Sequence, residues 1–315
     1  MSSPDISSPD ISSPDMSSPD PVASDPAAVA SIARLIALID VEPTGDNLFL
    51  GQSVNAGWNR VYGGQVVAQA LMAASKTVDD RLCHSLHSYF IRPGDPAQPI
   101  SYRVDRDRDG ASFTTRRVTA LQKDRPIFTM AASFQIDEAG LEYATTPPDV
   151  PAPEGLMNDA QLGALYADRV PEPQRTLWRT RDRPIEFRPI DPGDPFDPVA
   201  SPPRSYNWAR VAAPCSVSAP VMRALFAYAS DMTLLDTCLL PHAVAWSDKR
   251  LQVASLDHAI WFNTTPDLND WLLFDQDSPV SGGGRGLNRG LVHDRAGRVV
   301  ATLMQEGLIR YRDAG

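Results

Sequence analysis

A hairpin-like pattern that occurs twice at a constant spacing constrains this fold more than any other feature. The stretch SFTTRRVTALQKDRPIFTMAASFQI (112–136) is matched by RGLNRGLVHDRAGRVVATLMQEGLI (285–309). Arg117 falls on Arg289 and Ser133 on Gln305, and both separations are 172 residues (289 − 117 and 305 − 133). A constant offset over two strands predicts an internal duplication.

Each copy combines one helix signal with several strand signals. In the first half, Gly63-Gly64 precede apolar residues at helical spacing. Strand-like runs follow at 86–91, 100–107, 112–122 and 125–136. In the second half, ASDMTLLDTCLL takes the place of the helix, with a start near Thr233, and LQVASLDHAIWF and WLLFDQDS take the places of strands. We therefore predict an α+β fold of two copies, each a sheet around a helix.

Composition divides the chain into four segments. Residues 1–25 repeat the pentapeptide SSPDx, a polar and Pro-rich pattern typical of disorder. Order begins at Asp25-Pro26, a helix cap followed by proline. A Pro-rich stretch from 143 to 206 holds 13 of the 29 prolines and predicts an irregular connection. We predict a first domain at 26–142, a linker at 143–184 and a second domain at 185–315.

Charge and cysteine content exclude several classes of protein. The net charge of −10 includes five aspartates of the repeat segment, which leaves −5 (−10 + 5) for the rest. Because no basic run occurs, nucleic acid is not an expected partner. No run approaches the ~18 apolar residues of a membrane span. Three cysteines without a CxxC motif predict neither a disulfide framework nor a metal site, and without a secretory signal we expect a cytoplasmic protein.

Three polar residues stand where the pattern does not require them. Asp231 lies at the predicted start of the second helix, where it is either a cap or a catalytic acid or base. Ser255 and Gln305 interrupt strand-like runs that otherwise resemble buried segments. The G-x-S-x-G nucleophile pattern does not occur, and the histidines are best interpreted as structural.

Several motifs together resemble the acyl-CoA thioesterase II family, whose members have a double hotdog fold. The motifs are NRVYGGQVVAQAL, HSLHSYFIRPGD, FTTRRVTALQ, YASDMTLL, LQVASLDHAIWF and ATLMQEGLIR, and the resemblance covers about residues 27–312. The resemblance implies a catalytic trio of Asp231, Ser255 and Gln305, with serine where several members have threonine. It also implies hydrolysis of fatty acyl-CoA by a water that Asp231 activates, without a metal or cofactor other than the CoA of the substrate.

The resemblance leaves open how the two halves share the site. The positions of the first half that match Asp231, Ser255 and Gln305 are Gly64, Cys83 or His84, and Ser133, so one active site per chain is expected. Candidate substrate-binding residues are Arg60, Tyr62, Gly63, Gly64, Arg92, Arg285 and Arg289. Asp257 is a second candidate for the working carboxylate. The alternative functions are an acyl-CoA binding protein without hydrolysis and an enoyl-thioester hydratase. A homo-oligomer of double-hotdog units is also an expectation.

Overall fold

A computed structural model describes residues 25–54, 60–172 and 174–312 of the chain. The predicted disordered segment therefore lies outside the described residues, apart from Asp25. Asp25 accepts the backbone N–H of Ala27 at 3.0 Å and caps the first helix, α1 (Pro26–Ile39). The predicted cap and the helix that follows it are confirmed.

The described helices and strands follow the predicted α+β order. The first half contains β1 (Glu42–Gly45), β2 (Leu48–Gly51), α2 (Gly63–Ser75), β3 (Leu82–Phe90), β4 (Ile100–Asp109), β5 (Phe113–Gln122) and β6 (Arg125–Gln135). The connection contains α3 (Asp159–Tyr166) and α4 (Gln174–Thr180). The second half contains β7 (Ile185–Ile190), β8 (Arg204–Val211), α5 (Ala219–Ser230), β9 (Leu251–Ser255), β10 (Asp257–Phe262), β11 (Leu272–Gly282), β12 (Arg285–His293) and β13 (Val299–Tyr311).

One continuous antiparallel sheet joins the two halves among these strands. Its order is β1-β2-β4-β5-β6-β3-β10-β13-β12-β11-β8-β7, with β9 also paired to β13. The order reads alike from both ends: β3 takes the place of β10, β6 of β13, β5 of β12 and β4 of β11. The junction is the pair β3–β10, where Leu86 lies opposite Ile260. This symmetry agrees with the internal duplication that the sequence predicts.

The strand register corrects one detail of the predicted duplication. Arg116 pairs with Ala132 in the first half, and Asn288 pairs with Gln305 in the second. The first members differ by 172 (288 − 116), but the second members differ by 173 (305 − 132). The offset changes because 16 residues lie between Asn288 and Gln305, whereas 15 lie between Arg116 and Ala132. Ala132, rather than Ser133, therefore matches Gln305.

The helix of the second half, α5, also differs from the prediction. The helix predicted to begin near Thr233 instead ends at Ser230, and a short 3-10 helix (Leu235–His242) follows the break. The helix begins after Ser218, with Pro220 in its first turn, a start signal that the sequence interpretation overlooked. Pro241 inside the following segment is incompatible with a regular α-helix there.

The helices α2 and α5 pack against each other and against the sheet. Every α2 residue from Gly64 to Ala74 is buried, and Phe226 of α5 stacks on Phe274 of β11 with ring centroids 5.7 Å apart. This apolar core holds the junction between α5 and the 3-10 helix in place. The predicted domain boundaries remain predictions. Within the described part of the chain, no helix is long and apolar enough to cross a membrane.

Candidate active site

Asp231 lies at the point where α5 ends. Its backbone has left the helical conformation (φ −89°, ψ 0°), and its N–H donates to Ala229 O as a C-terminal cap. The prediction that Asp231 sits at the N-terminus of its own helix is therefore wrong. The carboxylate instead faces the other half of the chain.

The N-terminus of α2 approaches the Asp231 carboxylate and supplies a hydrogen-bond donor that α5 does not. The backbone N–H of Gly64 donates to the Asp231 carboxylate. A Cβ on Gly63 would lie 2.6 Å from Asp231 Oδ2, and one on Gly64 would lie 2.5 Å from the carbonyl oxygen of Tyr228. Gly64 was predicted to be the counterpart of Asp231 in the first half. The structure shows that Gly64 instead contacts Asp231. Two glycines are needed because the helix end and the carboxylate approach too closely for a side chain.

Tyr62, just before α2, ties the two helices together. Its hydroxyl donates to Tyr228 O at 2.8 Å, and the two aromatic rings meet edge to face at 5.0 Å. This bond occupies a carbonyl in the last turn of α5, one turn before Asp231. Burial, and then the charge of Asp231, raise the pKa of Tyr62 well above its usual value, so the hydroxyl stays protonated. Tyr62 therefore lies in the site as predicted.

Gln305 and Ser255 approach Asp231 from the sheet. Gln305 Nε2 donates to Asp231 Oδ1 at 2.5 Å, and Ser255 Oγ donates to the same oxygen at 3.4 Å. Ser255 pairs with Gly307 at the end of β9, and Cys83 pairs with Phe134 in β3. The matched partners again differ by 173 (307 − 134), so Cys83 rather than His84 corresponds to Ser255. The structure brings the three predicted catalytic residues together.

The environment of Asp231 sets its protonation. Burial raises the pKa of its carboxyl from 3.8 to about 6. The bonds from Gln305, Gly64 and Ser255 and the charge of Arg60 act in the opposite direction and keep the shift from being larger. A carboxylate with this pKa is ionised at neutral pH and is a stronger proton acceptor than an exposed aspartate.

The amide of Gln305 has a second polar atom, its oxygen Oε1. Gln305 is fully buried, and its Oε1 has no hydrogen-bond partner among the described residues. A buried acceptor without a partner is costly, so its retention indicates use by another group. The Oε1 atom adjoins the nitrogen that holds Asp231, which makes it a suitable acceptor for a bound water.

The neighbouring Asp257 and His258 diverge as a strand requires. Asp257 Oδ1 accepts the backbone N–H of Glu306 at 2.6 Å. His258 lies on the other face, where Nε2 contacts Ser230 Oγ at 2.8 Å. Neither residue contacts the Asp231 carboxylate directly. This geometry favours Asp231 over Asp257 as the working carboxylate and does not provide the converging His/Asp pair of a hydratase.

Of the predicted arginines, Arg60 alone is associated with the Asp231 environment. It donates to Val253 O at 3.0 Å on β9, and its charge acts on Asp231. Arg92 donates to Pro126 O at 2.6 Å. Arg285 pairs with Glu306 and Arg289 with Asp277, at 2.9 and 2.6 Å. Both alternate with inward-facing residues of β12 and project from the sheet face opposite Gln305, so the structure does not bring them to the carboxylate.

Sequence interpretation overlooked a second acidic residue near this site. This residue is Asp236. The charge of Asp231 acts on Asp236, and the charges of both carboxylates act on Tyr62. The indole N–H of Trp246 donates to Asp236. Loss of hydration at the carboxyl group, and then the charge of Asp231, raise the pKa of Asp236, but the residue is exposed, and solvent therefore screens both effects. The closely spaced Asp231 and Asp236 were the available signal. Among the described residues, no three His, Cys, Asp or Glu side chains are placed to hold a metal ion.

Comparison with solved structures defines the class of fold. A protein of unknown function with the hot dog fold from Alicyclobacillus acidocaldarius superposes with a TM-score of 0.69 at 19% identity, over 89% of this chain and 99% of that one. The acyl-CoA thioesterase II TesB2 from Mycobacterium marinum superposes with a TM-score of 0.72 at 35% identity, over 88% and 98%. The chain is therefore a double-hotdog protein, as predicted.

Sequence comparison adds the family. A model described as acyl-CoA thioesterase N-terminal domain matches residues 53–135, and a model described as acyl-CoA thioesterase matches residues 180–308. Acyl-CoA thioesterase 2 of Haemophilus influenzae is 38% identical over 89% of this chain and 98% of its own length. Human acyl-coenzyme A thioesterase 8 is 36% identical over 87% and 88%. The chain belongs to the acyl-CoA thioesterase family and is an enzyme of that class.

Proposed function

We propose that this thioesterase hydrolyses fatty acyl-CoA to a free fatty acid and CoA by direct attack of a water molecule that Asp231 activates. The observation that carries the proposal is the contact between Asp231 and Gln305, whose remaining oxygen is buried and has no hydrogen-bond partner in the described part of the chain. One acceptor for a proton and one fixed acceptor for the other hydrogen are the two groups that orient a water for attack.

The reaction follows from these groups. Asp231 takes one proton from the water while the water oxygen bonds to the thioester carbon. The carbonyl oxygen becomes negative, and the positive end of α2, whose first N–H groups have no acceptor within the helix, favours that charge. The intermediate then expels the CoA thiolate, which takes the proton from Asp231. The proton and electron balance closes without an external reagent.

Gln305 and Ser255 orient the carboxylate in this scheme. Gln305 binds Asp231 Oδ1 through its nitrogen and holds the water through its oxygen. Ser255 shares the same Oδ1 from a longer distance, so its contribution is the smaller one. Oδ2, on the side of Gly63, is left to receive the proton.

Substrate recognition is proposed to involve both halves. Tyr62, Gly63 and Gly64 form the wall of the site from the first half, and Arg60 is the arginine best placed for a phosphate of CoA. We retain Arg92, Arg285 and Arg289 as proposed contacts only for parts of CoA that extend away from Asp231. An acyl-CoA binding protein without hydrolysis would need no proton acceptor at this point.

The cellular setting is a further part of the proposal. We propose a cytoplasmic enzyme of fatty acid metabolism, supported by three free cysteines, Cys83, Cys215 and Cys238. We propose that the reaction uses no metal or cofactor, since a carboxylate of raised pKa suffices as the base. Association of double-hotdog units into a homo-oligomer is proposed as well, and light scattering would measure it.

The test is release of free CoA from acyl-CoAs ranging from acetyl to palmitoyl, with the wild type and Asp231→Asn. Asparagine keeps the shape of the side chain but cannot take the proton, so we expect kcat to fall by about 100-fold or more. Asp79→Asn, at an exposed position outside the site, is the matched control and should keep the wild-type rate. An Asp231→Asn variant that is folded and fully active would refute the role of Asp231.

A further inference from the structure

Two consecutive residues of β10 contact the chain neighbours of Gln305 and Asp231 from opposite faces of the strand. Asp257 accepts the N–H of Glu306, the residue after Gln305, and His258 contacts Ser230, the residue before Asp231. We propose that Asp257 and His258 are positioning residues that hold the carboxylate and the amide of the active site against each other. The inference rests on the proposed function and concerns residues that do not touch the substrate.

The hydrogen-bond pattern assigns the direction of the His258 contact. Ser230 Oγ donates to Ala227 O at 3.0 Å. A hydroxyl has one hydrogen, so the 2.8 Å contact requires His258 Nε2 to donate to Ser230. The other nitrogen, Nδ1, is buried and has no partner among the described residues. Burial lowers the pKa of His258 to about 4, which agrees with a neutral ring that carries its proton on Nε2.

This contact fixes the direction in which the chain leaves α5. The last carbonyls of a helix have no partner within the helix. Ser230 occupies one of them, and His258 holds the Ser230 side chain in the rotamer that does so. Because Asp231 is the next residue, the same contact determines where its carboxylate points. Both His258 and Ser230 are fully buried, so no alternative arrangement with solvent is available.

Asp257 performs a matching task on β13. The ladder between the strands is interrupted at Leu256, whose N–H donates to Glu306 O at 2.9 Å. The return bond comes from the Glu306 N–H to the Asp257 carboxylate rather than to a backbone oxygen. Asp257 therefore fixes the peptide that joins Gln305 to Glu306. His258 also lies on the strand that joins both halves of the sheet, where Ser88 Oγ donates to its backbone oxygen at 2.7 Å.

The first half provides a matched control for this arrangement. Its corresponding strand has a register shift between Cys83 and Ser85. There, His84 Nε2 contacts Ser133 Oγ at 2.8 Å. Ser133→Ala removes a His–Ser side-chain contact of the same length, which is partly buried and lies in the other half of the sheet. This variant would reveal any merely structural effect of losing a His–Ser contact. It would leave the position of Asp231 unchanged.

The experiment compares kcat and KM for CoA release by His258→Leu, His258→Gln, Asp257→Ala, Asp257→Asn and Ser133→Ala. Loss of positioning predicts that His258→Leu and Asp257→Ala lower kcat by about 10- to 100-fold and change KM by less than about threefold. Glutamine can still donate to Ser230 and asparagine can still accept from Glu306, so these two variants should recover most of kcat. Ser133→Ala should keep the wild-type kcat.

The outcomes separate this inference from the proposed function. If the wild type releases no CoA from any acyl-CoA, the proposed function fails and the inference fails with it. If the wild type is active and folded His258→Leu keeps its kcat, only the positioning role is refuted. If His258→Leu does not fold, Ser230→Ala removes the same contact from the other side, and an unchanged kcat in that variant would refute the role.

Discussion

Gln305 Nε2 lies 2.5 Å from Asp231 Oδ1, although the two residues are 74 positions apart in the chain. The contact joins the closing strand of the sheet to the end of α5, and it needs the second half to be fully folded. The first half completes it, because Gly64 donates to the same carboxylate. The site is therefore a product of the duplication, with the acid in one copy and the helix N-terminus in the other.

The activity should depend on pH through Asp231. Its pKa is raised to about 6, and only the ionised form can accept a proton from water. We expect kcat/KM to be constant above about pH 7 and to fall about tenfold per pH unit well below pH 6. CoA release measured across this range would show the transition. A profile that is flat down to about pH 4.5 would contradict Asp231 as the base, provided that the Asp79→Asn control remains folded.

The raised pKa of Asp231 also predicts how the stability of the fold depends on pH, with the sign opposite to that of the activity. The carboxyl binds a proton more tightly in the folded state, at about 6, than at its usual 3.8. Stability from this group is thus present at low pH and is lost as pH rises through about 6. Asp231→Asn should stabilise the fold by about 1 to 2 kcal/mol at pH 8 and by nearly nothing near pH 4. Urea unfolding at both pH values measures the difference, and equal effects at both would contradict it.

The sequence predicted the components of this site better than its geometry. The resemblance to the thioesterase II family implied Asp231, Ser255 and Gln305, and the last two also stood out as polar residues in apolar strand-like runs. The orientation was wrong for Asp231, since the break after Ser230 depends on packing between α5 and the sheet. The donation from Gly64 also could not be read from sequence, because it joins residues that approach only after both halves fold.

The register provides a second example. A constant offset of 172 placed Ser133 on Gln305, but the second hairpin has one more residue between its paired positions, which shifts the match to Ala132. A single residue in a strand moves the side chain to the other face, so the error concerns the side-chain direction and not only the numbering. Turn length is weakly determined by sequence pattern, whereas the strands themselves were predicted within a few residues.

Gln305 and Ser255 should differ in their contributions. A short bond to a charged acceptor is worth about 1.5 to 3 kcal/mol, so Gln305→Ala should lower kcat by about 10- to 100-fold. The Ser255 bond of 3.4 Å is at the limit of hydrogen-bond length, and Ser255→Ala should cost about fivefold or less. Loss of the Gln305 donor should also move the pH transition upward, because that bond lowers the pKa of Asp231. Equal losses in the two variants would contradict this ranking.

Gly63→Ala should lower kcat strongly but change the stability of the fold only slightly. The added Cβ would lie 2.6 Å from Asp231 Oδ2 and 3.0 Å from Phe90 Cζ, so the carboxylate must move away from the water that it activates. A displacement of this size can lower kcat by about 100-fold. Alanine also favours the first turn of a helix over glycine by about 0.5 to 1 kcal/mol, which offsets part of the strain. We therefore expect a change in Tm of only a few degrees.

Gly155→Ala is the matched control for this substitution, because a Cβ there would have no neighbour within 4 Å. It should keep the wild-type kcat and Tm. If Gly63→Ala also keeps the wild-type kcat, the close approach of α2 to Asp231 is not required for activity, and the carboxylate can act from a shifted position. If instead Gly63→Ala loses stability and activity together, the glycine is required for the packing of α2 on α5, and its contact with Asp231 is secondary.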